Sequence, residues 1–119
     1  MNISELKGGK YLRKEDLESP ALLTIKDVVK QNVAPPNEPP EIKGVMSFVE
    51  PDISPLVLNS TNANRVASLY GMETDDWRGQ KVVAFNDPNV EYAGKMIGGV
   101  RLRAPKGVKP IMEEEEPPF

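Results

Sequence analysis

One stretch of this chain, residues 60–70, has the spacing of an amphipathic helix, and it narrows the available folds more than any other feature. Ala63, Val66, Ala67 and Tyr70 recur at helical intervals with Leu69 beside them, which gives one apolar side. Ser60, Thr61 and Asn62 are candidate N-caps, and Gly71 stands where a helix ends on a residue free to turn left-handed. The other patterned stretches are short and strand-like. Three precede the helix, at 21–33, 42–49 and 56–58. Two follow it: 81–85, and a final strand reached through 90–93 and Gly94, in which Val100, Leu102 and Ala104 alternate with Arg101 and Arg103.

The first strand places Leu23, Ile25 and Val29 on one face with Thr24 and Lys26 on the other. Val28-Val29 breaks the alternation, and a bulge there would bend the strand enough to serve two sheets of a small barrel. Gly98-Gly99 allows a second bend. Strand, strand, strand, helix, strand, strand is the order of a mainly β, five-stranded OB-fold Greek-key barrel with one helix between strands 3 and 4. A ferredoxin-like fold needs two helices, and an SH3-like barrel has no room for one of this length. Ala34-Pro-Pro-Asn-Glu-Pro-Pro40 loses four backbone donors to proline and reads as an extended, mobile loop between strands. Asp75-Asp-Trp-Arg-Gly79 reads as a capped turn that plants Trp77 in the core. The expected layout is a loose basic segment over 1–20, the OB domain over 21–105 and a flexible acidic C-terminal tail over 106–119.

The residue types set limits on chemistry. The 119 residues contain no cysteine and no histidine, which removes disulfides, thiol chemistry, Ser-His-Asp triads and the usual zinc sites. Asp75-Asp76 precedes Trp and Gly as a helix cap does, and Asp52, Asp87 and Glu91 have no spacing that fixes a cation. Gly98-Gly99 lacks the Lys-Ser/Thr of a phosphate loop. No enzyme, metal or cofactor is expected. No run of 18 apolar residues exists, and Met1-Asn-Ile-Ser-Glu-Leu lacks the blocks of a signal peptide, so no membrane partner and a cytoplasmic location are expected.

Charge is divided unevenly along the chain. The formal net charge is −3, yet residues 1–112 hold 15 basic and 14 acidic side chains. Residues 95–112 carry Lys95, Arg101, Arg103, Lys106 and Lys109 with no acid, and Lys7, Lys10, Arg13 and Lys14 face Glu5 alone at the start. A basic stripe directly before an acidic tail points to a polyanion for the body and a different partner for the tail. Binding of a single strand without sequence preference needs cations for the backbone and flat faces for the bases. Arg101, Arg103, Lys95 and Lys106 supply the first, with Lys81 joining them in one strand register. Phe85, Tyr92, Phe48 and Tyr11 are the candidate faces, of which Tyr92 beside its glycine is the best exposed and Phe48 and Phe85 compete with core roles. Trp77 and Tyr70 are assigned to the core.

The sequence closes on Glu113-Glu-Glu-Glu-Pro-Pro-Phe119: four carboxylates, two stiffening prolines, one aromatic side chain and the terminal charge. A small apolar pocket rimmed by Arg or Lys would capture these together. This ending resembles the tip of bacterial single-stranded DNA-binding proteins, OB-fold proteins whose tips recruit replication, recombination and repair enzymes. Glu113, Glu114, Glu115 and Glu116 match the acidic run, and Pro118 and Phe119 match the terminal dipeptide. Pro117 stands where an apolar residue is usual, and glutamate replaces the commoner aspartate. Ala104 to Met112 stands in place of the long linker of that family. The body, through Leu56-Val-Leu-Asn59, Thr61-Asn-Ala63, Asp76-Trp-Arg-Gly79 and Gly99-Val-Arg-Leu-Arg103, is similar to small proteins encoded in bacteriophage genomes.

The resemblance implies a phage-type protein that binds single-stranded DNA without sequence preference in DNA replication, recombination and repair. Its acidic tip would recruit host or phage DNA-processing proteins. The alternative is an OB-fold interaction module without DNA binding, which docks on or competes for host replication and repair proteins through the tip. The edges of such a barrel also leave pairing into a homo-oligomer open.

Overall fold

A computed structural model of the protein describes residues 11–109, with Tyr92 described by its backbone alone. The expectations for Lys7, Lys10 and Glu113–Phe119 lie outside the described residues.

The elements are β1 (Ala21–Asn32), β2 (Ile42–Phe48), β3 (Leu56–Val57), helix α1 (Ser60–Tyr70), β4 (Lys81–Asp87), β5 (Glu91–Tyr92), β6 (Lys95–Met96) and β7 (Gly99–Arg103). Short 3-10 turns occupy Lys14–Asp16 and Thr74–Trp77. Five strands form one antiparallel sheet in the order β3-β2-β1-β4-β7, and β5 and β6 make a separate hairpin. The sheet is not closed. β3 and β7 stand at its two edges, so the fold is mainly β with one α-helix but lacks the closed barrel expected from the strand order.

β1 joins the two halves. Ala21–Thr24 pairs with β4, while Ile25 and the residues beyond it pair with β2, and the register shifts between Ile25 and Asp27. The irregularity thus falls before Val28-Val29, and it reverses the faces that follow. Val28 packs against the core and Val29 is 49% exposed, so Val29 does not share the face of Leu23 and Ile25 as the alternation suggested.

Inside, Leu23 and Ile25 of β1 meet Met46 and Phe48 of β2, Val82 and Ala84 of β4, Leu102 of β7 and Val66 and Ala67 of α1. Each of the larger side chains contributes about 1.5–3 kcal/mol by leaving water. Leu12 and Leu17 belong to the same core, and the Leu12 N–H donates to the Pro55 carbonyl at 2.8 Å. The described part of the N-terminal segment is therefore packed into the body. Leu12 and Leu17 stand in no periodic pattern, so the sequence carries no local signal for this packing.

The helix forms where its periodicity placed it, but its cap is Asn59. The Asn59 side chain accepts from the Asn62 N–H at 2.8 Å, which leaves the Asn62 side chain available for another task. At the other end Gly71, with φ 101°, donates to the Ala67 carbonyl at 2.8 Å. Trp77 is buried by its 3-10 turn, and its indole N–H donates to the Gly71 carbonyl at 2.8 Å. Tyr70 is half-buried against the core.

The proline loop after β1 is built on defined hydrogen bonds. Asn32 Oδ1 accepts from both Ala34 N and Glu41 N, Val33 N donates to the Glu41 carbonyl, and Asn37 takes φ 68° in a turn closed from Glu38 N to the Pro35 carbonyl. Proline followed by a left-handed Asn is the pattern of a type II turn. Among the described residues, no helix is long and apolar enough to cross a membrane.

Candidate nucleic-acid interface

The arginines of the last strand owe their common face to strand alternation. Leu102 points inward and is 3% exposed, so Arg101 and Arg103 on either side of it point outward. β4 does the same beside them: Val82 and Ala84 are fully buried, and Val83 and Phe85 face out and are half-buried. Cross-strand register then sets the rows. Leu22 of β1 lies opposite Val83, which lies opposite Arg103, and Phe85 lies opposite Arg101.

The result is a face with two parallel halves. Leu22, Val83 and Phe85 form an apolar strip on β1 and β4, with Leu22 55% exposed. Arg101 and Arg103 form a cationic strip on β7, one strand spacing (about 4.8 Å) away. Arg103 leans diagonally, and its Cζ lies 5.6 Å from the centroid of the Phe85 ring. That cation–π contact leaves the guanidinium charge available, since neither Arg101 nor Arg103 forms an ion pair among the described residues.

Two polar groups bound the face along its length. At one end, Lys81 Nζ donates to Thr24 Oγ1 at 3.0 Å. Thr24 donates in turn to Glu50, from its N–H at 2.6 Å and its hydroxyl at 2.8 Å. The Thr24 N–H is the main reason that the Glu50 carboxyl lies below its ordinary range; partial burial opposes this, and the hydroxyl and the Lys81 charge add to it. At the other end Asp87 lies opposite Gly99, and its Oδ1 accepts from Asn89 N at 2.9 Å.

The residues expected to bind nucleic acid are only partly brought together. Arg101, Arg103 and Phe85 share the face, with exposed Lys81 at its end. Lys95 is exposed on β6, paired across the hairpin with Tyr92, and Lys106 is exposed beyond β7. Phe48 is a correction: it is 7% exposed and packs in the core opposite Ile25, so it offers no stacking surface. Tyr11 is half-buried, and its hydroxyl accepts from Gln31 Nε2 at 3.0 Å, far along β1 from the Arg101–Phe85 row.

Leu22 and Val83 share this face without having been expected on it. Alternation along the fourth strand was the available signal, since 83 and 85 must face opposite to 82 and 84; Leu22 needed the β1–β4 register, which the sequence does not carry. Among the described residues, no group of three or more Asp or Glu side chains is placed to hold a metal ion. Compared with known proteins, the chain matches no family model, no curated protein and no solved structure.

Proposed function

We propose that the protein binds single-stranded DNA without sequence preference, through the outward face of β1, β4 and β7. The observation that carries this reading is the pairing of strips: Arg101 and Arg103, without an ion pair among the described residues, beside Leu22, Val83 and Phe85, with Arg103 over the Phe85 ring. A single strand has the same two-sided chemistry, with phosphates along one edge and base faces along the other. Charge supports it further, because residues 95–109 carry five cations and no acid.

In this reading the fold is an open form of the OB-fold. The strand order β3-β2-β1-β4-β7, the long bent β1 shared by two halves and the helix between β3 and β4 all support that assignment. The acidic segment Glu113–Phe119 serves as a docking peptide for phage or host DNA-processing proteins, and the protein works in phage DNA replication and recombination in the host cytoplasm.

Titration of fluorescent oligo-dT at two salt concentrations tests the reading. Binding that weakens steeply as salt rises is expected, because cations that neutralise phosphates release counterions. No binding at low salt rejects it. The same apolar strip with a cationic border would then serve a protein partner, as an interaction module.

A further inference from the structure

Four rows of side chains stand on the outward face of β1, β4 and β7, and only the two middle rows set a cation beside apolar surface. Leu22, Val83 and Arg103 make one middle row, and Phe85 with Arg101 makes the other. The row before them is Thr24 with Lys81, and the row after them is Asp87 with Gly99. Arg101 and Arg103 are two residues apart in an extended strand, about 6.6 Å, which is the scale of one step of an extended nucleotide chain.

An acid stands at each outer row. At the first, the Val49 N–H donates to the Thr24 carbonyl at 2.9 Å and brings Glu50 to the face. Both Glu50 oxygens are held, one by the Thr24 N–H at 2.6 Å and one by the Thr24 hydroxyl at 2.8 Å. Lys81 Nζ donates to the same Thr24 Oγ1 at 3.0 Å, so its charge lies near the carboxylate and is offset by it. At the far end Asp87 is half-buried and forms no ion pair among the described residues. Two further cations stand off the paired rows. Lys95 is on the β5–β6 hairpin, which also carries Glu91, and Lys106 is in a turn closed from Val108 N to the Pro105 carbonyl at 3.1 Å. A phosphate carried past either end of the middle rows therefore meets a carboxylate where those rows offer an arginine. A repulsive group limits a ligand as an attractive one holds it.

We infer that Glu50 and Asp87 are end stops that limit the single strand on this face to two successive phosphates and their bases, so that the ligand is a short single-stranded segment. The inference rests on the nucleic-acid reading above and names the length of strand that the site takes. Arg101 and Arg103 take one phosphate each. One base lies on the Phe85–Arg103 pair and the other on Leu22 and Val83. A longer strand leaves the face at both ends and gains no further contact. An overhang, a gap or a loop of a few nucleotides is then held as firmly as a long strand.

Chemical-shift titration of the full chain at low salt, with oligo-dT of three and of nine nucleotides, tests this. Three nucleotides already carry the two phosphates. Nine offer more positions for the same grip, so the longer probe should bind tighter by no more than about sevenfold, the statistical ratio of adjacent phosphate pairs. The slope of log affinity against log salt should be about −1.4 for both probes, the value for two phosphates of a single strand. Asp87→Asn and Glu50→Gln each keep an acceptor oxygen and remove a charge. Together they should raise the affinity ratio between the two probes about fivefold over the parent's. Asp87→Asn alone should show part of that rise, so the outcome does not depend on the folding of Glu50→Gln. A parent ratio well above sevenfold, with a slope that steepens with length, overturns the end stops and spares the single-strand reading. Variants whose ratio equals the parent's overturn the assignment to these two carboxylates. A parent that binds neither probe removes both the end stops and the single-strand reading.

Discussion

The side-chain amide of Asn62 accepts a hydrogen bond from the backbone N–H of Leu102 at 3.2 Å, and its Nδ2 donates to the carbonyl of Val100 at 3.0 Å. A neighbouring strand would make the same two bonds to the free edge of β7. Asn62 is 2% exposed, the one buried polar side chain among the described residues. It therefore satisfies the sheet edge from the first turn of α1, at the place where β3 would have to pair to close the sheet. The same two bonds fix the residues on either side of Arg101, and Leu102 itself separates Arg101 from Arg103.

Asn62→Ala should destabilise the protein by about 2–4 kcal/mol, because a buried donor and a buried acceptor both lose their partner. Urea unfolding measures this, and amide exchange at Leu102 should accelerate more than exchange at Val82 in the sheet centre. Oligo-dT affinity should fall with it, since β7 carries both arginines. A loss below about 0.5 kcal/mol would mean that water replaces the amide without cost, and Asn62 would then not be the edge cap described here.

Much of this was legible in the chain, and what was not has a common cause. The helix, the alternation of β7 and the burial of Trp77 follow from local spacing, so Val66, Leu102 and Trp77 could be placed without a structure. The role of Asn62 could not. Three polar residues in a row offered themselves as caps, and the true cap, Asn59, lies one residue before them because the chain leaves β3 in an extended conformation there. With the cap filled by Asn59, Asn62 is turned inward toward a strand 40 residues later in sequence. Phe48 and Leu22 show the same limit from opposite sides. Which face of a strand is outer depends on the position of the β1 bulge, and a shift of one residue exchanges the faces. Closure of the sheet is less legible still, because strand order is the same whether or not the two edge strands meet.

The turn of the β5–β6 hairpin contains a strained residue. Ala93 has φ 53°, and a side chain with a Cβ costs about 1–2 kcal/mol in that region. Asparagine tolerates it, and Asn-Gly is the preferred pair for a mirror-image two-residue turn. Ala93→Asn should therefore raise stability by a few tenths of a kcal/mol up to about 1 kcal/mol, measured by thermal unfolding. It should also slow amide exchange within the hairpin. Unchanged exchange would show that the turn is not held at this φ in solution.

Glu50 supplies a pH dependence with a definite sign. Its carboxyl lies below the ordinary glutamate range in the folded state, chiefly through the Thr24 N–H. A depressed folded value contributes stability that is fully present above the unfolded pKa and is lost as pH falls through the folded one. Stability should thus decline as pH drops below the ordinary glutamate range, and Glu50→Gln should flatten that part of the profile while lowering stability at neutral pH. Urea midpoints measured from pH 7 downward for both proteins check this. Parallel profiles would show that Glu50 contributes nothing to the acid limb.

Arg101 and Arg103 differ in what surrounds them, and the difference predicts different losses. Arg101 lies opposite Phe85 with its charge unpaired among the described residues, so in the proposed function it meets a phosphate as a cation. Arg101→Gln should weaken oligo-dT binding and reduce the slope of log affinity against log salt by about one unit. Arg103 lies over the Phe85 ring, which makes its planar guanidinium a stacking surface as well as a charge. Arg103→Lys keeps the charge and removes the plane. It should leave the salt slope unchanged and still cost about 1–2 kcal/mol, or about 5- to 30-fold in affinity. Lysine at 101 should be nearly silent by comparison. Equal losses from the two lysine variants would mean that Arg103 contributes charge alone and that the bases stack elsewhere; a changed slope for Arg103→Lys would mean that the two arginines share one phosphate.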